Sequence, residues 1–185
     1  LSTGAPLATV PSLTMAAALA VAEMLEACGI AATCKWPNDV LAGNGKICGI
    51  LSERVETDFG AAPKARRAGI IVGVGLNVNM TLEEARTIDR PATSMLIESR
   101  RAHDPDAVLQ TLLGPLGHWI GQWRTGGFSS LRESWTARSG PFGKPLKVHD
   151  GDRLKSGTLA GYGECGELLL QTENGIETIW TGDVS

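Results

Sequence analysis

The first informative features of this sequence are those that it has little of. Only 5% of its 185 residues are aromatic, and it holds three histidines and four cysteines. The cysteines, at positions 28, 34, 48 and 165, form no Cys-x-x-Cys pair, and the histidines are scattered. This pattern argues against a disulfide framework and against a zinc site. It is typical of reduced thiols in a cytoplasmic protein.

Charge and hydropathy exclude two further classes. The net charge is −3 and no stripe of basic residues is present, which argues against non-specific binding of nucleic acid. The longest apolar stretch, Met15 to Leu25, contains Glu23 and covers only about half a bilayer. No charged segment of the kind that opens a signal peptide precedes it. With 43% hydrophobic residues, the composition indicates a globular protein without a membrane or nucleic-acid partner.

The segment from Lys35 to Leu51 carries the strongest signal for a binding site. It reads Lys-Trp-Pro-Asn-Asp-Val-Leu-Ala-Gly-Asn-Gly-Lys-Ile-Cys-Gly-Ile-Leu, and Asn44-Gly45 between two strand-like runs predicts a hairpin. A hairpin would fold Lys46 back beside Asn38 and Asp39. An ammonium, a carboxylate and an amide side by side suit a small molecule with an anionic group. A lone lysine after a turn is more commonly a solvated residue. The interpretation as a binding residue therefore depends on the predicted neighbours Asn38 and Asp39.

A second candidate segment is Gly73-Val-Gly75-Leu-Asn77, which follows an apolar run typical of a central strand. Glycines inside a strand weaken packing unless a ligand or another backbone comes close. Asn77 can donate and accept hydrogen bonds and so matches an adenine edge, although an ordinary turn asparagine fits the pattern equally well.

Two better-known nucleotide motifs are rejected on their residues. Gly43-Asn-Gly-Lys46 lacks the leading glycine of a phosphate-binding loop, and Ile47 stands where Ser or Thr would hold magnesium. Gly73-Val-Gly75 is not a dinucleotide fingerprint, because Val78 replaces its third glycine and no helix follows.

The order of local patterns predicts an α+β fold in two parts. Residues 1–140 read as a mixed sheet with helices packed on one side, opening with a buried helix that ends at Gly29. Later helices are signalled by the capping box Thr81–Glu84 and by Asp104-Pro105. In residues 141–185, short alternating runs between turn residues predict four or five strands of a small β-barrel.

Four motifs in this order and spacing resemble those of the biotin protein ligases: Lys35-Trp-Pro-Asn-Asp39, Lys46-Ile-Cys-Gly49-Ile-Leu51, Gly73-Val-Gly-Leu-Asn77-Val-Asn79 and Ala92-Thr-Ser94. The closing Gly182-Asp-Val-Ser185 looks like the end of that family's C-terminal domain. The resemblance covers almost the whole chain. It implies part of a class II synthetase-like catalytic core, followed by an SH3-like β-barrel.

The resemblance also implies a reaction and its partners. Biotin would be activated with ATP to biotinoyl-5′-AMP, with release of pyrophosphate. The biotinoyl group would then pass to one lysine of a biotin carboxyl carrier domain of a carboxylase, such as acetyl-CoA carboxylase. ATP, biotin and magnesium are the expected small molecules. A homodimer is a further expectation, because relatives often pair through sheet edges.

Site residues follow from the matched motifs. Lys46 matches the lysine that contacts the biotin carboxylate and the α-phosphate, and it is the expected catalytic residue. Asn38 and Asp39 match residues that line the adenylate site, where Asp39 would also help to hold magnesium. Asn77 matches the asparagine that contacts adenine. The positions that match walls around biotin and the adenylate are Gly49, Leu51, Gly73 and Gly75. Lys35 and Trp36 are expected to support the Trp-Pro corner, Trp36-Pro37-Asn38-Asp39, rather than to touch substrate.

One departure from the family pattern limits the expected activity. The family carries a Gly-Arg-Gly-Arg-x-Gly-Arg loop that folds over biotin and the adenylate, and these 185 residues contain no such segment. Leu1 to Val10 correspond to the family's residues just after that loop and its next strand. We therefore expect the C-terminal part of a ligase, which binds ligand but transfers little by itself.

Two alternatives stay open. One is a non-catalytic protein that kept the biotin pocket of a ligase. The other is a lipoate ligase of the same superfamily, which the Gly-Leu-Asn-Val-Asn segment and the β-rich tail disfavour.

Overall fold

The computed structural model describes residues 11–57, 67–140, 142–150 and 153–185. The expectation for Leu1 to Val10 lies outside the described residues. The described helices are α1 Pro11–Ala27, α2 Leu82–Arg86, α3 Met95–Ser99, α4 Pro105–Gly126 and α5 Arg132–Ser139, with a 3-10 helix at Gly127–Ser130. The strands are β1 Thr33–Lys35, β2 Asp39–Ala42, β3 Gly45–Thr57, β4 Arg67–Leu76, β5 Pro145–Asp150, β6 Arg153–Tyr162, β7 Leu168–Thr172, β8 Gly175–Ile179 and β9 Asp183–Val184.

Helix α1 forms the centre of the core. Its run of Ala, Leu and Met favours a helix, and most of its side chains are fully buried. Gly29, just past its end, has a φ of 79°, the left-handed conformation that glycine readily adopts at helix C-termini. The predicted buried helix ending at Gly29 is therefore confirmed. Among the described helices, none is long and apolar enough to span a bilayer.

Helix α4 packs against α1 and hydrogen-bonds to it. It begins at the predicted Asp104-Pro105 signal, where the Asp104 side chain accepts from the backbone N–H of Asp106. Trp123 Nε1 donates to the buried hydroxyl of Ser12 at 2.9 Å, and Trp119 Nε1 donates to Glu23 at 2.7 Å. These bonds satisfy polar groups that burial would otherwise penalise.

The first sheet has the strand order β1-β2-β3-β4, and every neighbouring pair in it is antiparallel. The expectation of a mixed sheet is therefore wrong for the described residues. Connections between these strands are shorter than the crossover that a parallel pair needs. Strand β4 is the outer strand of this described sheet rather than a central one, and its Ile71 is 55% exposed.

The Lys35–Leu51 segment contains the predicted hairpin and one additional strand. Strand β2 pairs with both β1 and β3, and Ala42 pairs with Gly45, so the turn is Gly43-Asn44. Gly43 has a φ of 54°, as this kind of two-residue hairpin turn requires at its first central position. The hairpin is confirmed, with its turn one residue earlier than the Asn44-Gly45 signal indicated.

The second sheet has the order β8-β7-β6-β5-β9, and its neighbouring strands are also antiparallel. The short strands expected after Lys144 are present, and a bulge between Leu159 and Gly161 bends β6. Its core consists of alternating apolar side chains, including Val148, Leu159, Leu168, Leu170 and Ile179. The boundary after residue 140 stays a prediction.

Hydrogen bonds attach the second sheet to the Trp-Pro corner and to the helices. Trp36 Nε1 donates to the carbonyl oxygen of Gly166 at 3.0 Å inside the core. The guanidinium of Arg132 donates to the carbonyls of Tyr162 and Gly163. The corner that precedes β2 is thereby fixed by residues more than a hundred positions away, as the separation of 130 between Trp36 and Gly166 shows.

Candidate functional site

The first sheet has an open face that carries a concavity of about 480 Å³. Along β3, Lys46 and Leu51 are exposed, whereas Ile47, Cys48 and Ile50 between them are buried. The lining residues are Asn38, Lys46, Gly49, Ile50, Leu51, Gly73, Val74 and Gly75. The structure therefore brings six of the eight predicted site residues to one concavity.

Two glycines form the outer part of its floor. Gly73 and Gly75 are exposed, and neither has a positive φ. A Cβ built on Gly73 would come no nearer than 3.9 Å to Leu51 O, and one on Gly75 no nearer than 3.5 Å to Gly49 O. Both are ordinary contacts, so the protein's own packing does not require glycine here. A side chain would instead occupy the concavity, as expected where a ligand approaches the strand.

Lys46 and Asp39 form an ion pair at the edge of this concavity, with 2.6 Å between Nζ and Oδ1. Asp39 lies opposite Gly49 in the ladder. A Cβ on Gly49 would be 3.0 Å from both Cε and Nζ of Lys46. The bare backbone at Gly49 therefore gives the lysine room to reach the carboxylate. The Lys46 side chain is 47% exposed, so its ammonium can also contact a bound anion.

The backbone of Lys46 is held by the segment after α2. Its N–H donates to Pro91 O at 2.9 Å, and its carbonyl accepts from Thr93 N at 3.0 Å. These bonds flank a parallel bridge between Lys46 and Ala92. The position of the ammonium is consequently set by the hairpin and by this second segment together.

The side chains of Asn38 and Asn77 are both fixed by hydrogen bonds to backbone carbonyls. Asn38 Nδ2 donates to Ile50 O at 2.6 Å, and Ile50 N donates back to Asn38 O at 2.9 Å. Asn77 lies outside the lining of the concavity, and its Nδ2 donates to Thr93 O at 3.0 Å and to Lys46 O at 3.4 Å. With both amide hydrogens directed at carbonyls, only Oδ1 of Asn77 is left to accept from a ligand.

The donor set does not build a magnesium site of the protein's own. Asp39 directs its carboxylate at an ammonium, and the described residues contain no group of three or more His, Cys, Asp or Glu side chains suited to a metal. Magnesium commonly keeps several waters and is bound through substrate phosphates with one or two carboxylates. The assignment of Asp39 as a magnesium ligand stays a prediction, and no chemical step is derived through the ion.

Cys48 lies under the site but is not equipped to act as a nucleophile. It is 1% exposed. Burial raises the pKa of its thiol to about 12, the Asp39 carboxylate adds to the rise, and the Lys46 ammonium opposes it. Because the thiolate is the reactive form, Cys48 stays protonated and inert at neutral pH.

Sequence reasoning missed a second cavity, of about 660 Å³, which lies where the two sheets meet. It shares Lys46 with the first site and is also lined by Asp39, Lys35, Arg90 and Asp183. Lys35 Nζ and Arg90 Nη1 approach the Asp183 carboxylate at 3.0 and 2.5 Å. Lys35 and Asp183 are 148 positions apart, so no local pattern could have paired them.

Known proteins share this sequence and fold. Residues 3–77 match the model of the Biotin/lipoate A/B protein ligase family. The chain is 34% identical to the biotin--[acetyl-CoA-carboxylase] ligase of Paracoccus denitrificans, over 93% of this chain and 71% of that protein. It is 31% identical to the bifunctional ligase/repressor BirA of Bacillus spizizenii, over 97% of this chain and 54% of that protein. It thus spans about half the length of the Bacillus relative.

A solved structure agrees with these relatives. The biotin protein ligase from Aquifex aeolicus in complex with biotin and ATP superposes with a TM-score of 0.77 at 28% identity, over 96% of this chain and 71% of that chain. The sequence similarity extends over nearly the whole chain, and the fold is shared as well. Both agree with the site described above, in which exposed glycines of an open sheet lie beside a paired lysine. The chain belongs to the biotin protein ligase family.

Proposed function

We propose that this chain binds biotin and ATP on the open face of the first sheet and takes part in forming biotinoyl-5′-AMP. The observation that carries the proposal is the Lys46–Asp39 pair, 2.6 Å apart, at the edge of a concavity floored by Gly73 and Gly75. The Paracoccus relative is named as a biotin--[acetyl-CoA-carboxylase] ligase, and the Aquifex protein was solved with biotin and ATP. Because this chain belongs to the same family, we propose the same chemistry for it.

The first step joins two anions, and Lys46 is suited to that task. A carboxylate oxygen of biotin attacks the α-phosphorus of ATP, a new P–O bond forms, and the bond to pyrophosphate breaks. Lys46, with one side of its ammonium held by Asp39, would donate to the biotin carboxylate and to the α-phosphate oxygens. A fixed positive charge at this point lowers the repulsion between the reactants and stabilises charge in the transition state.

The adenylate would lie along the sheet. Gly49, Gly73 and Gly75 let the ligand approach the backbone, and Leu51, 61% exposed, offers an apolar wall. Asn77 Oδ1 would accept from the adenine amino group, because its amide nitrogen already donates within the protein. Asn38, through its hydrogen bonds to Ile50, would keep the Trp-Pro corner at the edge of this concavity.

The second step passes the biotinoyl group to a carrier protein. The neutral amine of a lysine in a biotin carboxyl carrier domain attacks the acyl carbon, and an amide bond forms as the nitrogen loses a proton to solvent. The C–O bond to the phosphate breaks, and AMP leaves with its electron pair. We further propose that the second sheet is the family's SH3-like domain, and that magnesium arrives with the phosphates of ATP. The homodimer considered from the sequence stays a prediction.

Transfer by these 185 residues alone is expected to be slow, since they contain no Gly-Arg-Gly-Arg segment to cover the adenylate. Several missing positive contacts would lower the rate on the order of 10³-fold or more. Mass spectrometry of a carrier domain incubated with this polypeptide, biotin and MgATP measures that rate. Site-specific transfer at full rate would refute the expected impairment but would not contradict the proposed binding of biotin and ATP.

Binding is tested by calorimetric titration with a non-hydrolysable sulfamoyl analogue of biotinoyl-AMP. Lys46→Ala should weaken binding roughly 10- to 100-fold, because charge-assisted hydrogen bonds to the ligand are lost. The matched control is Lys155→Ala, which removes a lysine that pairs with Glu177 at 2.9 Å in the second sheet. Equal affinity of Lys46→Ala and wild type would contradict the proposed role of this lysine.

Two further measurements separate the alternatives. A chain that binds the analogue but releases no pyrophosphate from ATP and biotin is a non-catalytic binding protein. Competition by lipoate that exceeds competition by biotin would favour the lipoate ligase alternative, which the matched Biotin/lipoate family model by itself leaves open.

A further inference from the structure

The two sheets meet through a carboxylate that is shared by two cations. Asp183 on β9 accepts from Lys35 on β1 at 3.0 Å and from Arg90, in the segment after α2, at 2.5 Å. Burial acts to raise the pKa of Asp183, but the hydrogen bond and charge of Lys35, joined by those of Arg90, outweigh it and hold the pKa below its ordinary value. The carboxylate is therefore ionised at neutral pH, and Lys35 is its nearest partner on the first sheet.

Lys35 is also a direct neighbour of the Lys46–Asp39 pair. It is paired with Asp39 in the β1–β2 ladder, and directly opposed residues have Cβ atoms about 4.5–5.5 Å apart. Lys35, Asp39 and Lys46 all line the cavity between the sheets. The Lys35 side chain is 29% exposed and pairs with Asp183, and its position opposite Asp39 places that carboxylate within reach of the same flexible stem.

Asp39 has two cations within reach and is bonded to one of them. The structure pairs it with Lys46 at 2.6 Å and pairs Lys35 with Asp183. The charges alternate from Arg90 through Asp183, Lys35 and Asp39 to Lys46. Removing the Asp183 charge would leave Asp39, which lies opposite Lys35 in the β1–β2 ladder, as an alternative partner for Lys35, in competition with Lys46.

We propose that Asp183 is a positioning residue that holds Lys35 away from Asp39, and so leaves Asp39 free to orient Lys46 toward the ligand. The inference rests on the proposed binding of the adenylate. It assigns the second sheet a role in the electrostatics of the site, besides its contact with the Trp-Pro corner.

A purely structural role for Asp183 makes a different prediction. If Asp183 only fastens the second sheet to the first through Lys35, Lys35→Met breaks the same ion pair and should weaken binding as much as Asp183→Asn does. If it holds Lys35 away, its loss should matter only while Lys35 is a cation. A double-mutant cycle separates the two roles.

The experiment measures affinity for the sulfamoyl analogue by calorimetry, with thermal unfolding in parallel. Asp183→Asn should weaken binding about fivefold, as expected for a disturbed, partly exposed ion pair. Lys35→Met, alone or combined with Asp183→Asn, should bind as tightly as wild type, because the competing cation is absent. Asp183→Glu keeps the charge and should restore wild-type affinity. Glu177→Gln is the matched control, since it removes a carboxylate from an ion pair within the second sheet.

Each outcome has a distinct meaning. Weakened binding by Lys35→Met alone, or an Asp183→Asn loss that persists in the Lys35→Met background, overturns the inference and assigns Asp183 to sheet attachment. If Asp183→Asn alone does not fold, the comparison of Lys35→Met with wild type still decides, because weaker binding by Lys35→Met overturns the inference. Failure of the wild-type protein to bind the analogue at all refutes the proposed function instead.

Discussion

Replacing Gly75 with alanine should separate binding from stability. Gly75 is an exposed residue of β4 without a positive φ, and a Cβ there would meet Gly49 O at an unstrained 3.5 Å. Glycine inside a strand costs roughly 0.5–1 kcal/mol relative to alanine. The substitution should therefore stabilise the fold and raise Tm by about 1–4 °C in a protein of this size.

The same methyl group should impair the site. It would project into the concavity of about 480 Å³ where the ligand is proposed to touch the backbone. Inserting one methyl into a close contact costs about 1–3 kcal/mol, which corresponds to a loss of affinity of roughly 5- to 150-fold. Gly75→Val should lose more, while strand formation tolerates or favours valine.

The assay pairs differential scanning fluorimetry with calorimetric titration of the sulfamoyl analogue. The control is Gly121→Ala in α4, where an added Cβ would meet nothing within 4 Å. It should raise Tm through helix propensity and leave affinity unchanged. The reasoning is refuted if Gly75→Ala binds as tightly as wild type, or if it unfolds the protein.

Two further predictions concern the charged groups. Gly49→Ala should displace the Lys46 ammonium, because the new Cβ would lie 3.0 Å from Nζ. We expect a loss of analogue affinity of about fivefold or more with little change in Tm, since a flexible side-chain end can yield; unchanged affinity would contradict the packing argument. The pKa of Asp183 is lowered in the folded protein from the ordinary carboxyl value of 3.8. Its ion pairs therefore contribute fully to stability above pH 3.8, and that contribution is lost as the pH falls through the lower pKa of the folded state. Thermal melts below about pH 4 should therefore converge for wild type and Asp183→Asn, and a gap that widens on acidification would show the sign to be wrong.

Local signals predicted much of the backbone. The capping box Thr81–Glu84 is present, with Glu84 also bonded to the Thr81 N–H, and the start of α4 and the short C-terminal strands lie near their predicted positions. These features depend on residues a few positions apart, so the sequence contains their physical cause. The mixed sheet and the central position of β4 were wrong for the described residues, because strand order depends on which distant segments pair.

The sequence predicted most residues of the candidate site but not the hydrogen bonds that they make. The motifs predicted that Asn38, Lys46, Gly49 and the β4 glycines would come together, and they line one concavity. They did not predict that Asn77 would direct its amide at two backbone carbonyls. An asparagine side chain orients toward whatever donors and acceptors the fold places nearby, and those lie on separate segments.

By itself the sequence determined the local elements and the residue types that meet at the hairpin, because turn geometry, strand alternation and helix capping act over a few residues. Only the tertiary structure decided that Lys35 pairs with Asp183. Lys46 pairs with Asp39, and Lys35 with Asp183, at a cavity lined by residues of both sheets. Ion pairing follows distance and burial in space, and those arise only when the two sheets pack together.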